Sequence, residues 1–324
     1  MSSYEASRPE NILRGVALII AAALTISIQD VVFKLFSSKM TLWQIFALRG
    51  LLAIPMLLVF LWLQRMHRGV WRIALGKWPI LRAVFITTTF LAFYAAIPFV
   101  SLSTVGAANY IAPIFVALLS AYAIGELVGP LGWLGVVLGF AGVIVLLQPG
   151  TDAFSLWSLL PIMGAAFYAL AHITTRVKCQ DTPLAAISLS QNFVMMLAGI
   201  TVSVLLLGFA PRAGLIEEYP YLFGDWAVVG LVEILVLLIL AGFTILISVL
   251  LAGAYQTAPP AIISTFEYCY LVFVAIWDIL FFGIAPTVQS VTGMILIVIA
   301  GLLVLRRRQG KVEKCGREAK ADLG

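Results

Sequence analysis

The chain has 324 residues, of which 62% are hydrophobic and 11% charged, with a net charge of +5 and a mean hydropathy of +1.08. Soluble domains carry roughly 45–50% apolar and about 25% charged residues, so this composition excludes a water-soluble protein and indicates a polytopic membrane protein. Lipid offers the backbone no hydrogen-bond partners, and the long apolar runs lack the alternation of barrel strands, which leaves an all-helical bundle.

A crossing helix needs about 20 apolar residues, and that window predicts about ten spans along the chain. Residues 1–13, within "MSSYEASRPENILRG", form a short cytoplasmic segment. The first span, 14–37, is too long for a signal-peptide core and has no small-residue cleavage site after it, so it is expected to stay in place. It carries Asp30 and Lys34, and the second span, 41–63, carries Arg49. At a rise of 1.5 Å per residue Asp30 and Arg49 lie within roughly 6 and 12 Å of the outer surface. They are predicted to pair, as a structural bridge or as a gate. In the third span, 79–100, Arg82 falls near the cytoplasmic end, where snorkelling is cheap, and Thr87, Leu91 and Tyr94 share a stripe.

The fourth span, 103–125, includes "ANYIAPIFVALLSAYAIG". Asn109 and Tyr110 are expected a third to a half of the way across, where polar groups are tolerated chiefly against the bundle interior or a water-filled cavity. Pro113 removes a backbone hydrogen bond and is predicted to bend or open the helix, as a packing kink or a hinge. Glu126, just past Gly125, is expected to find a cation among Arg72, Lys77 and Arg176. A fifth span follows at 130–148.

The second five spans are 155–177, 184–208, 227–253, 259–282 and 287–305, followed by a basic tail, 307–324. Tyr168 and His172 share a face of the sixth. Glu233 lies in the eighth and Asp278 near the outer end of the ninth. On the ninth, Ser264, Glu267, Tyr270 and Trp277 recur at helical spacing. Tyrosines around one acid suit a flat or cationic organic solute through stacking and cation–π contact. Tyr94, Asn109, Tyr110, Tyr168, His172, Glu267, Tyr270 and Trp277 are therefore the candidate substrate-binding residues, with Asp30, Arg49 and Pro113 as candidate ion-pair or gating residues. Cys179, Cys269 and Cys315 are read as free thiols.

With a cytoplasmic N-terminus, fifteen of the 20 lysines and arginines fall on the inside, and bias of that kind sets topology. Both termini are then cytoplasmic. The polybasic tail is read as a topology anchor or an attractor for anionic lipid, not as a nucleic-acid site.

A shift of 158 lays "YIAPIFVALLSAYAIG" over "YCYLVFVAIWDILFFG", matching Tyr110 to Tyr268 and Asn109 to Glu267, and a shift of 144 aligns the stretches further upstream. The chain thus reads as two repeats, 14–148 and 155–306. A unit with an odd number of crossings enters the second time from the opposite face, the inverted-repeat construction of many secondary transporters.

"PIFVALLSAYAIGE", the glycine-spaced "GPLGWLGVVLGFAGVIVLL", "QIFALRGLLAIPMLL" and "VTGMILIVIAGLLVLRRR" together resemble a drug/metabolite transporter of the EamA type, over most of the chain. The second half departs from the first, with Leu271 and Ile284 where the first has Pro113 and Glu126. The resemblance implies ten helices in two inverted five-helix repeats. It also implies movement of small organic metabolites such as amino acids, cofactors or drug-like compounds, usually without direct ATP use. A bacterial inner membrane, a small-molecule substrate, protons as coupling ion and no cofactor are the matching expectations. A passive channel and an intramembrane enzyme are the alternatives. The paired-His zinc signature, the G-x-S-x-G elbow and the phosphate-binding loop do not occur in the sequence.

Overall fold

The structure is a computed structural model that describes residues 11–36, 40–65, 69–96, 109–125, 129–148, 159–209, 213–283, 287–289 and 291–300, with 99, 157 and 303 singly. The helices of the bundle are α1 (Ile12–Phe36), α2 (Leu42–Leu63), α3 (Lys77–Ala96) and α4 (Ala112–Leu119), then α5 (Pro130–Leu147), α6 (Leu159–Lys178), α7 (Leu184–Phe209) and α8 (Leu231–Thr257). The ninth, α9, comes in two pieces, Pro260–Glu267 and Cys269–Phe282, and α10 is Val291–Ala300. The chain is an all-α membrane protein.

Six of these helices (α1, α2, α3, α7, α8 and α9) are long and apolar enough to cross a membrane. Three shorter apolar helices cover Ala112–Ile124, Pro130–Val145 and Val291–Ala300. The helix expected at 155–177 is present as α6 but is less apolar, because His172, Thr174, Thr175, Arg176 and Lys178 crowd its last two turns. Phe60, Trp62, Leu63, Leu207 and Phe209 are well exposed. Such a surface would drive aggregation in water but is satisfied by lipid tails.

The ends of the helices follow local rules. Thr41 caps α2, its Oγ1 accepting from the Gln44 amide at 3.4 Å. Glu233, expected inside a span, instead lies in the first turn of α8 and accepts the Gly230 amide at 3.0 Å. An acid there satisfies an orphan donor and complements the helix dipole. After α4 a π-helical turn, Ser120–Ile124, is closed by Gly125 at φ 71°, a backbone conformation that strains any residue with a Cβ.

Lipid gives no hydrophobic push between helices, so close backbone approach at small residues does much of the packing. α2 runs along α7, and each contributes a glycine to the crossing. A Cβ on Gly50 would stand 2.6 Å from Met196 Cβ and 2.8 Å from the Asn192 carbonyl. One on Gly199 would stand 2.6 Å from the Ala47 amide nitrogen and 2.7 Å from the Trp43 carbonyl. α1 packs along α8 and α3 along α6; α3 also meets α7 as α2 meets α8, and α4 meets α6 as α1 meets α9. With α4 against α9, these contacts map onto one another, or onto themselves, when α1–α5 are exchanged with α6–α10.

Candidate functional site

Two helices break at the level of the candidate site. The chain turns at Tyr110 and Ile111 immediately before α4, and α9 breaks at Tyr268. Pro113 stands in the first turn of α4 and not at a mid-helix bend. Its ring would clash with the carbonyl four residues back, at Asn109, so the helix starts afresh after that point. Leu271, at the matching place in α9, keeps its amide and donates it to the Tyr268 carbonyl at 3.1 Å.

The two breaks meet. The Tyr268 hydroxyl donates to the Tyr110 carbonyl at 3.3 Å, and the two rings lie 6.0 Å apart. A carbonyl freed by a helix break inside a membrane must be satisfied by protein or by water in a cavity, and here the side chain of the other broken helix does it. Room for the Tyr268 ring comes from α5, where a Cβ on Gly139 would stand 2.5 Å from two of its ring carbons.

Beside the break, Glu267 accepts two phenolic hydrogen bonds on the same oxygen, Oε1, from Tyr255 of α8 at 2.7 Å and Tyr168 of α6 at 3.0 Å. His172, one turn along α6, is fully buried with its ring 4.0 Å from Tyr255 and 4.2 Å from Tyr168, and neither ring nitrogen has a partner among the described residues. Glu267, Tyr168, Asn109 and Tyr110 are half-buried, whereas Tyr255 and Tyr268 are buried. Hydroxyls donated to one carboxylate oxygen leave Oε2 available to a solute or to a proton.

Towards the opposite end, Tyr270 sets its ring at a tilt 6.2 Å from that of Tyr110 and donates its hydroxyl to Asp30 at 2.5 Å. The shared stripe expected for Glu267 and Tyr270 is interrupted by the turn at Tyr268, and the two side chains serve different groups. Trp277 donates Nε1 to Ser27 Oγ at 2.9 Å and holds α9 to α1. Tyr94 lies in a separate aromatic group, with Phe46 at 5.9 Å and Tyr221 at 6.4 Å. It is not among the contacts of Glu267. The Asn109 side chain makes no hydrogen bond among the described residues.

Asp30 and Arg49 do not form the expected ion pair. Asp30 is taken by Tyr270, while Arg49 donates to Gln29 Oε1 at 3.2 Å and to Thr244 Oγ1 of α8. The neighbouring position on α1, Gln29, presents the neutral acceptor that the arginine uses. Arg82 is a second correction: it does not snorkel but is fully buried, its Nε on Thr175 Oγ1 at 2.9 Å and its Nη1 on Gln191 Oε1 at 2.8 Å. The partnership expected for Glu126 lies outside the described residues, as does Cys315. Cys179 and Cys269 are free.

Sequence reasoning missed Tyr255, Gln29, Thr244, Thr175 and Gln191. The polar run Ser188, Ser190, Gln191 and Asn192 within apolar α7 was a usable signal for the last. Tyr255, two residues from the end of α8, offered none.

Residues 13–148 match the profile of the EamA-like transporter family. That stretch of the chain is similar to that family. The chain is 26% identical over 62% of its length to the riboflavin transporter of Rhizobium johnstonii, and the match spans 61% of that protein. It is 25% identical over 66% of its length to the riboflavin transporter of Brucella anthropi, spanning 71% of that protein. A match to the pseudopaline exporter of Pseudomonas aeruginosa covers more, 91% of this chain and 97% of the other at 23% identity. The fold is also that of a solved crystal structure, at a TM-score of 0.72 over 91% of this chain and 98% of the other with 15% identity. The chain is therefore similar to small-metabolite transporters along nearly its full length.

Proposed function

We propose that the chain is a secondary transporter of the bacterial inner membrane, carrying a small organic metabolite by alternating access of a site between two inverted repeats, 14–148 and 155–306. The observation that carries this reading is the meeting of the two broken helices at Tyr110 and Tyr268. These residues are equivalent under the internal repeat, and equivalent residues in contact lie on the axis relating the halves. Discontinuous helices at a repeat interface are the usual construction of transporter sites. The similarity to riboflavin transporters and to a pseudopaline exporter supports a small-metabolite substrate. No reaction chemistry is needed of the site, so the chain is not an enzyme in this reading. Both termini lie in the cytoplasm, and Glu267 exchanges the coupling proton.

Purified protein in proteoliposomes tests it with riboflavin and tryptophan as probe solutes. The expected result is uptake that saturates and collapses when an imposed proton gradient is dissipated. Non-saturating flux would identify a passive channel, and product formation in detergent an intramembrane enzyme.

A further inference from the structure

Arg82 is completely buried in the wall formed by α3, α6 and α7. Its hydrogen-bond partners, Thr175 and Gln191, are neutral, and its Nη2 has no partner. A guanidinium stays protonated in proteins, and a buried cation without a counter-charge costs several kcal/mol. Among the described residues no carboxylate forms an ion pair with it. Glu267 accepts hydroxyls from Tyr255 and Tyr168 and makes no hydrogen bond with Arg82 among the described residues. Arg49 differs: Asp30 sits beside its partner Gln29 and lies within electrostatic reach of it.

A second group points to the same place. His172 precedes Thr175 by one helical turn, and both its ring nitrogens are buried without partners. Arg82 is close enough to act electrostatically on both His172 and Tyr168. Buried polar atoms are almost always satisfied by something, so three unpartnered nitrogens on two facing helices call for a polar occupant. The unsatisfied Nη2 beside Nη1 is the fork that matches two oxygens of a carboxylate or phosphate.

We infer that Arg82, with His172, forms an anion subsite of the solute pathway, which takes a carboxylate or phosphate group while the flat part of the same solute lies against Tyr168 and Tyr255. This rests on the transporter reading above and narrows its substrate class to organic anions and zwitterions, in place of the cationic solute that the tyrosines alone suggested. Solute binding would displace Gln191 from Nη1 and complete the bidentate contact.

Matched probes separate the charge from the ring. Indole-3-propionate and riboflavin 5′-phosphate carry the anion; tryptamine and riboflavin are their ring-matched counterparts without it. Calorimetric titration of purified protein in detergent is expected to show each anion binding about tenfold or more tighter than its counterpart, the usual weight of a charge-assisted bidentate contact. Arg82→Gln is expected to abolish that preference. Should Arg82→Gln fail to fold, Arg82→Lys keeps the charge but loses the fork, and a weakened preference is expected there. The inference is overturned if neither anion binds, if the counterparts bind as tightly, or if both variants keep the full preference. Transport is measured separately in proteoliposomes. Anions that bind but are not carried leave the subsite standing and sink the transporter reading; saturable riboflavin uptake without anion binding does the reverse.

Discussion

At Glu267 two hydroxyls converge on one oxygen, and charge-assisted bonds of that kind are worth about 1.5–3 kcal/mol each. Glu267→Gln keeps the volume and an acceptor oxygen, so folded yield in detergent is expected to stay near that of the parent. A glutamine exchanges no proton, however, and accumulation in proteoliposomes should lose its dependence on pH; an unchanged profile would make Glu267 a structural acid. Asp30 calls for a different variant than the sequence suggested. Because Tyr270 and not Arg49 holds it, Tyr270→Phe and Asp30→Asn should each lower the thermal midpoint, and the double variant should lose less than their sum. Because Asp30 lies within electrostatic reach of Arg49 without touching it, Arg49→Gln added to Asp30→Asn is expected to lose a little less than the sum of the two, with no recovery of yield. Recovery of yield in that double variant would restore the direct pair.

Elements carry the second layer of the design, because a helix break is useful only where a neighbour leaves room for it. Gly139 of α5 does so for Tyr268, and Gly139→Ala should force the ring away. Overpacking of this kind costs about 1–3 kcal/mol, read as a lower thermal midpoint together with weaker solute binding. Gly208→Ala, where a Cβ would meet nothing within 4 Å, is the control and should change neither. The sequence made much of this legible. The offset of 158 aligned Tyr110 with Tyr268, which do touch, and Pro113 marked the break before α4. The break at Tyr268 has no proline to announce it, and the burial of Arg82 was hidden because distance along a helix says nothing about which face looks inward. The partner of Asp30 was missed for a related reason: adjacency of α1 and α2 in sequence favoured Arg49, while the packing puts α9 beside α1.

For the whole molecule, the distribution of lysine and arginine makes a claim about sidedness that reporters can read. Fusions after Lys77 and Arg308 are expected to report cytoplasm, and one within residues 211–220 the outside. An external C-terminus would overturn the topology and with it the inverted relation of the halves. The exchange of contacts between α1–α5 and α6–α10 supports the same organisation independently of charge. Glu267 and Arg82 sit towards the end at which α8 passes into α9, and Asp30 and Arg49 towards the other, so charged side chains lie inside the bundle towards both of its ends.

The paired glycines at the crossing of α2 and α7 have a mechanical meaning. The backbones touch at two neighbouring places, Gly50 against Asn192 and Met196 and Gly199 against Trp43 and Ala47, so sliding would bring a collision, whereas a tilt about the crossing would keep both contacts close, as a lever turns on its fulcrum. The end of α2 at Leu63 lies thirteen residues beyond Gly50, about 20 Å at 1.5 Å per residue, and the end at Leu42 only about 12 Å away. One small rotation would therefore sweep the Leu63 end through the longer arc. Spin labels placed across the glycine crossing should keep a nearly fixed separation during turnover, and labels at the Leu63 end should show the widest change.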